Sequence, residues 1–137
     1  MKKLLYSILF ISLTLLSGYS YSESRKTEEV RIHVINFTKY NLSVIDKKLW
    51  SGSWVREPST TVNTNHMDIF ITKRTPTSGT EGYVEYSIYD GSFKVHWNYD
   101  HEGRINNHVV VNDPKRLYKI DCDDCNTNEF TIVVIKK

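Results

Sequence analysis

From Tyr83 to Trp97 the chain reads YVEYSIYDGSFKVHW, and its side chains alternate with a period of two on both sides of a tight-turn dipeptide. Val84, Tyr86 and Ile88 fall on one side of an extended segment, with Tyr83, Glu85, Ser87 and Tyr89 on the other. After Asp90-Gly91 the alternation resumes with Phe93, Val95 and Trp97. A helix would scatter these apolar residues around its circumference, whereas a strand gathers them on one face. Asp-Gly between two such runs specifies a hairpin. The chain must therefore build a sheet with one buried face, and every other segment has to fit around it.

The rest of the sequence agrees. Ala and Gln are absent, while Thr, Val, Ile, Tyr, Phe and Trp are plentiful. The first are strong helix formers, and the second suit a pleated, half-buried surface. Strands are predicted over Val30–Asn36, Leu42–Asp46, Met67–Thr72, Ile105–Val111, Leu117–Asp121 and Phe130–Lys136, in addition to the hairpin. Lys47–Thr61 reads as irregular, and Thr75–Gly79 as a loop. About eight short strands separated by turns give an all-β, single-domain antiparallel β-sandwich.

The N-terminus reads as an address. Lys2 and Lys3 precede an apolar run from Leu4 to Leu16, and small or polar residues follow at Ser17, Gly18, Ser20 and Ser22. This is the layout of a secretory signal peptide over residues 1–22, cut after Ser20 or Ser22, and the run is too short for a membrane span. A polar leader, 23–29, then precedes a domain over 30–137, and the protein is expected to be secreted. The chain has 18 Lys and Arg against 16 Asp and Glu, so removal of Lys2 and Lys3 leaves it near neutral. Its charges are interspersed, without the basic block that nucleic acid or a strongly anionic membrane would require. Partners with neutral or zwitterionic head groups fit this balance better.

Cys122 and Cys125 form the only cysteine pair, and in a secreted chain an even count argues for a disulfide staple. A redox dithiol would need a helix N-terminus, and zinc would need two further ligands at useful spacing. His96, His101 and His108 lie close in sequence with Asp100 and Glu102. A metal-dependent enzyme built on His96, His101 and Asp100 is the weakest reading, because alternation sends His96 away from the Phe93-Val95-Trp97 face. No nucleophile elbow or phosphate-binding glycine loop is present, so neither an enzyme nor a cofactor is expected. The informative excess is aromatic. Tyr86 and Trp97 suit a sandwich core, while Trp50 and Trp54, beside Ser51, Gly52 and Ser53, read as loop aromatics of the kind that enter a membrane interface.

Gly79-Thr80-Glu81-Gly82 before a strand, followed by an aromatic strand ending in Trp97 and an Asn-containing loop, resembles the aegerolysin family. The Val30–Asn36 strand and the Gly52-Ser53-Trp54 stretch with Pro58 after it are similar to that family's upstream half. The resemblance spans Val30 to Val111 and implies an actinoporin/aegerolysin-like sandwich that is secreted and binds membrane lipids, with sphingolipid or ceramide-type head groups. It further implies a recognition role beside a pore-forming partner protein. Carried over by position, Trp97, Glu81, Trp54 and Trp50 are the recognising groups, and Tyr83 and Tyr99 join them as neighbouring aromatics. The chain differs from the family pattern at Asn98-Tyr99-Asp100-His101-Glu102, where a Pro-containing turn is usual. The competing reading is a secreted, non-catalytic interaction or adhesin-type sandwich with its aromatics buried.

Overall fold

A computed structural model describes residues 28–137. The signal peptide lies outside the described residues, as does the polar leader apart from Glu28 and Glu29. Ten strands and no helix make up the described chain: β1 (Glu29–Asn36), β2 (Leu42–Ser51), β3 (Ser53–Arg56), β4 (Thr61–Val62), β5 (Met67–Lys73), β6 (Thr80–Ile88), β7 (Gly91–Tyr99), β8 (His108–Asn112), β9 (Tyr118–Asp123) and β10 (Glu129–Lys136). They form two five-stranded sheets, ordered β3-β5-β1-β10-β9 and β4-β2-β6-β7-β8. All pairings are antiparallel except β1 with β10, which run parallel from Arg31↔Glu129 to Asn36↔Val134. That pair joins the two ends of the domain at the centre of the first sheet.

Period-two alternation sets the core. Val30, Ile32 and Val34 of β1 and Phe130, Ile132 and Val134 of β10 point inward, and Val84, Tyr86, Ile88, Phe93, Val95 and Trp97 meet them from the other sheet. Each fully buried side chain of this size contributes about 1.5–3 kcal/mol, so the interleaved faces drive the packing. The β6–β7 hairpin turns at Tyr89-Asp90, with Ile88 opposite Gly91 and Asp90 at φ 59°.

Three segments depart from the sequence reading. β2 runs on to Ser51, and β3 follows at once, so Trp50 and Trp54 stand on strands and not in an irregular loop. Bulges between Val44 and Asp46, Leu49 and Ser51, and Trp54 and Arg56 break the alternation that would have revealed these strands. Gly52, at φ 87°, lets the chain cross from one sheet to the other; a Cβ there would lie 2.6 Å from the Lys73 carbonyl oxygen. The Ile105–Val111 strand is in fact β8, with Ile105 bridged singly to Tyr99.

The glycines flanking Glu81 serve close approach. Neither Gly79 nor Gly82 has a positive φ. A Cβ on Gly82 would strike the Lys48 carbonyl and sit 2.7 Å from Trp97 Cζ2, and one on Gly79 would sit 2.6 Å from Asp100 Cα. Thr80, Glu81 and Gly82 belong to β6 itself, which starts three residues earlier than the alternation suggested.

Candidate functional site

β6 presents Glu81, Tyr83 and Glu85 to the outer face of the second sheet, and β7 presents Lys94 and His96 beside them. Trp50, lifted by the bulge near the end of β2, lies over this surface with its ring 5.3 Å from Tyr83 and 5.7 Å from His96. It is 50% exposed. Three of the six expected lipid-binding residues, Trp50, Glu81 and Tyr83, thus come together.

This flank is internally paired. His96 Nε2 lies 3.3 Å from Glu81 Oε1, and Tyr83 donates its hydroxyl to Asp46 Oδ2 at 2.7 Å. Lys94 Nζ sits 4.4 Å from the Tyr83 ring centroid, a cation on a π face. The His96 and His108 rings are 4.5 Å apart across β7 and β8. Burial, and then the neighbouring His108, hold the His96 imidazole below its ordinary pKa, against the opposing pull of Glu81. The hydrogen bond to Asp46, followed by burial, raises the Tyr83 phenol. Two aromatic rings, a carboxylate and a displaceable ammonium are the elements of a cation-binding surface, with Lys94 occupying the cation's place on Tyr83.

The other three candidates face inward. Trp97 is fully buried, its Nε1–H donating to Thr80 Oγ1 at 3.3 Å, while Thr80 donates to Thr72 Oγ1 at 2.8 Å. Trp54 packs edge-on against Trp97 and Phe70, with ring centroids 5.8 and 6.2 Å away. Tyr99 is 5% exposed, with the Arg74 guanidinium 4.4 Å from its ring centroid. These residues hold the two sheets together and offer little surface to a lipid. Trp97 and Tyr99 alternate with His96 and Asn98 along β7, and Trp54 lies opposite the buried Thr72, which puts all three inside.

Cys122 and Cys125 are joined by a disulfide across the β9–β10 turn, with Cα atoms 5.6 Å apart. Among the described residues no group of three or more His, Cys, Asp and Glu is placed to hold a metal ion. Asp100 instead closes its own loop, accepting from the Arg104 side chain at 2.7 Å, a bond that lowers its carboxyl pKa.

Further exposed apolar side chains stand at the end of the sandwich where β1 finishes and β5 begins. Phe37, Met67 and Tyr89 are 56%, 52% and 55% exposed, and Tyr40 stacks on Tyr89 with centroids 4.6 Å apart. Lys39 lies over Tyr40, and Lys115 pairs with Asp90 at this same end. Asn36 sets the geometry. It is wholly buried, donating to the carbonyls of Tyr40 (2.7 Å) and Val62 (3.0 Å) and accepting from the Thr38 N–H (3.0 Å) and hydroxyl (2.7 Å). The Asn36-Phe-Thr38 triplet, formally a glycosylation acceptor, is thus a buried structural clamp that turns Phe37 outward. Sequence reasoning passed over this rim; the available signal was an aromatic on each side of a polar break, Phe37 and Tyr40 around Thr38-Lys39.

No protein-family model and no curated protein matches the chain. Solved structures do. The chain superposes on the crystal structure of the lipid binding protein Nakanori with a TM-score of 0.61 at 11% identity, covering 88% of this chain and 76% of that one. The RahU protein, in complex with a TRIS molecule, matches with a TM-score of 0.60 at 14% identity, over 80% of this chain and 96% of that one. Likeness at this identity is a likeness of fold. The all-β, aegerolysin-like sandwich expected from the sequence is the architecture observed.

Proposed function

We propose that this protein is a secreted lipid-binding module that docks on membranes through the Phe37–Met67–Tyr89 end of its sandwich. The observation that carries this reading is the exposed end itself: two aromatic rings and a thioether stand in solvent there, and a buried polar clamp beside them turns Phe37 outward. Such rings are stable half-wet at a membrane interface, and nearby lysines suit the phosphates of zwitterionic lipids. The shared fold with a lipid binding protein supports the same class of ligand. Within it, sphingolipid and ceramide-type head groups are the proposed targets, and the protein acts as the recognition component for a separate pore-forming protein that supplies the membrane-inserting segment.

The Trp50–Glu81–Tyr83 flank supports a second reading, an ammonium head group displacing Lys94 from the Tyr83 ring. Glu81 and Tyr89 are eight residues apart on one strand line, roughly 26 Å, so one bilayer surface cannot engage both regions end-on. Co-sedimentation with vesicles of phosphatidylcholine, alone and with sphingomyelin or ceramide phosphoethanolamine, separates the readings. Phe37→Ala with Tyr89→Ala should abolish binding while Trp50→Ala and Glu81→Gln leave it intact. The reverse result moves the site to the flank. Folded protein that binds none of these vesicles returns the chain to the interaction-domain class. N-terminal sequencing of secreted protein tests cleavage after Ser20 or Ser22.

A further inference from the structure

Among the described residues the sandwich has four edge strands, β3 and β9 in one sheet and β4 and β8 in the other. An open edge is a template for another strand, and proteins blunt it with charge, proline, bulges or brevity. Three of the four edges are blunted in these ways. β3 is four residues long and carries a bulge and Arg56. β4 has two residues, and the length of β2 that it leaves uncovered holds two bulges with Asp46, Lys47 and Lys48. β9 carries Lys119, Asp121 and Asp123 and ends at the disulfide.

β8 has no such device. It reads His108-Val-Val-Val-Asn112, with no Asp, Glu, Lys, Arg or proline within the strand, and pairs with β7 without a register shift. Val110 lies opposite Lys94 on the outer face, between His108 and Asn112, and Val109 and Val111 lie opposite Val95 and Phe93 on the inner face, so the centre of the strand shows an apolar side chain to each side. Val110 and Val111 are 55% and 46% exposed.

We propose that β8 is a self-association edge, pairing antiparallel with β8 of a second copy of this chain about a two-fold axis at Val110. The strand is its own complement in that register: Val110 meets its counterpart, Val109 meets the partner's Val111, and His108 meets the partner's Asn112. Such isologous pairing is the commonest route to a homodimer. Charge does not oppose it. The chain's formal charge is only +2. The nearest like charges on the outer face, the two Lys94 side chains, would stand three strand spacings apart, roughly 14 Å and beyond a Debye length of about 8 Å. One five-residue strand pair buries less than a standard interface, so the dimer is weak and concentration-dependent. The two-fold points the Phe37–Tyr89 ends of the two copies in opposite directions.

Sedimentation equilibrium without lipid, from micromolar to sub-millimolar concentration, tests the edge independently of any lipid reading. The wild type should show a reversible monomer–dimer equilibrium. Val110→Lys sets two ammonium groups face to face and should raise the dissociation constant about tenfold or more, while Val110→Thr, which keeps the β-branch, should leave it within a few-fold. Far-UV circular dichroism and urea midpoints establish that both variants fold, and Val111→Lys provides a second charged edge if Val110→Lys does not. A wild type that stays monomeric throughout overturns the proposal. So does a dimer whose dissociation constant is unmoved by a folded Lys variant, or a monomer that binds β-strand peptides but not itself.

Discussion

Asn36→Ala tests whether the buried clamp organises the apolar end. The substitution removes four hydrogen bonds, two donated to Tyr40 and Val62 carbonyls and two accepted from Thr38. The loss is not fourfold, because the Thr38 hydroxyl is already 3.0 Å from the Tyr40 carbonyl and can satisfy it. The Val62 carbonyl keeps its place in the β2–β4 ladder opposite Leu42, but the Thr38 N–H remains without a partner in a buried site. At about 1–3 kcal/mol for an orphaned group, the expected cost is of that size, a sizeable share of a typical domain stability of about 5–15 kcal/mol. Urea unfolding followed by tryptophan fluorescence should show a lower midpoint with an unchanged slope.

Asn36→Asp sharpens the test. It keeps the two acceptor bonds from Thr38, loses both donors, and buries a carboxylate whose charged form is disfavoured. Its folded pKa should therefore be raised, so its stability relative to Asn36→Ala improves as the pH falls toward the carboxyl range and is lost as the pH rises. Either variant should also weaken vesicle binding by freeing Phe37 and Tyr40 from their fixed positions. A cost below about 1 kcal/mol for Asn36→Ala, or identical behaviour of the two variants at pH 4 and pH 7, refutes the clamp as the organising element.

Gly82→Ala should cost about 3 kcal/mol in urea unfolding, since its Cβ meets the Lys48 carbonyl and the Trp97 ring between well-packed strands. The depressed pKa of His96 has a definite sign: the unfolded chain binds the proton more readily, so this residue removes stability as pH falls below the ordinary imidazole value of about 6.5. The groups around it are Glu81, Lys94, His108 and the Trp50 ring, and His96→Gln should flatten the stability profile between pH 7 and pH 5. Reduction of Cys122–Cys125, or the double Ser variant, should lower stability by about 2 kcal/mol, because the bridged loop spans a separation of only three residues.

Legibility in the sequence followed the regularity of each segment. The hairpin face from Val84 to Trp97 could be read because nothing interrupts its period of two. β2 beyond Asp46 and the whole of β3 could not, because single extra residues at Ile45, Trp50 and Val55 shift the pattern. The parallel β1–β10 pairing joins residues almost a hundred positions apart, and no local signal announces it. The same physics divided the site. Glu81 and Tyr83 could be placed outward from the alternation that follows them, whereas Trp54 and Tyr99 turned inward because Thr72 and Thr80, their cross-strand partners, face the core. Gly79 and Gly82 answer to what sits against them, the Tyr99–Asp100 backbone and the Trp97 ring, which no local pattern announces.

The three tryptophans make binding at the end and binding on the flank optically distinct. Trp97 is buried and Trp54 half-buried, so both indoles already emit from largely dry surroundings, and only the half-exposed Trp50 is wet enough to report a change. Trp50 lies beside Glu81 and Tyr83, about 25 Å along the strands from the Phe37–Tyr89 rim. Docking through the rim therefore leaves its emission where it is, although the protein sediments with the vesicles. Engagement of the flank dries the indole and shifts its emission to the blue, and Trp50→Phe removes that shift while leaving the other two tryptophans as an internal reference. Sedimentation without a shift supports the rim. A blue shift that tracks bound protein and vanishes in Trp50→Phe refutes it, and places the bilayer against the sheet face on which Lys94 covers Tyr83.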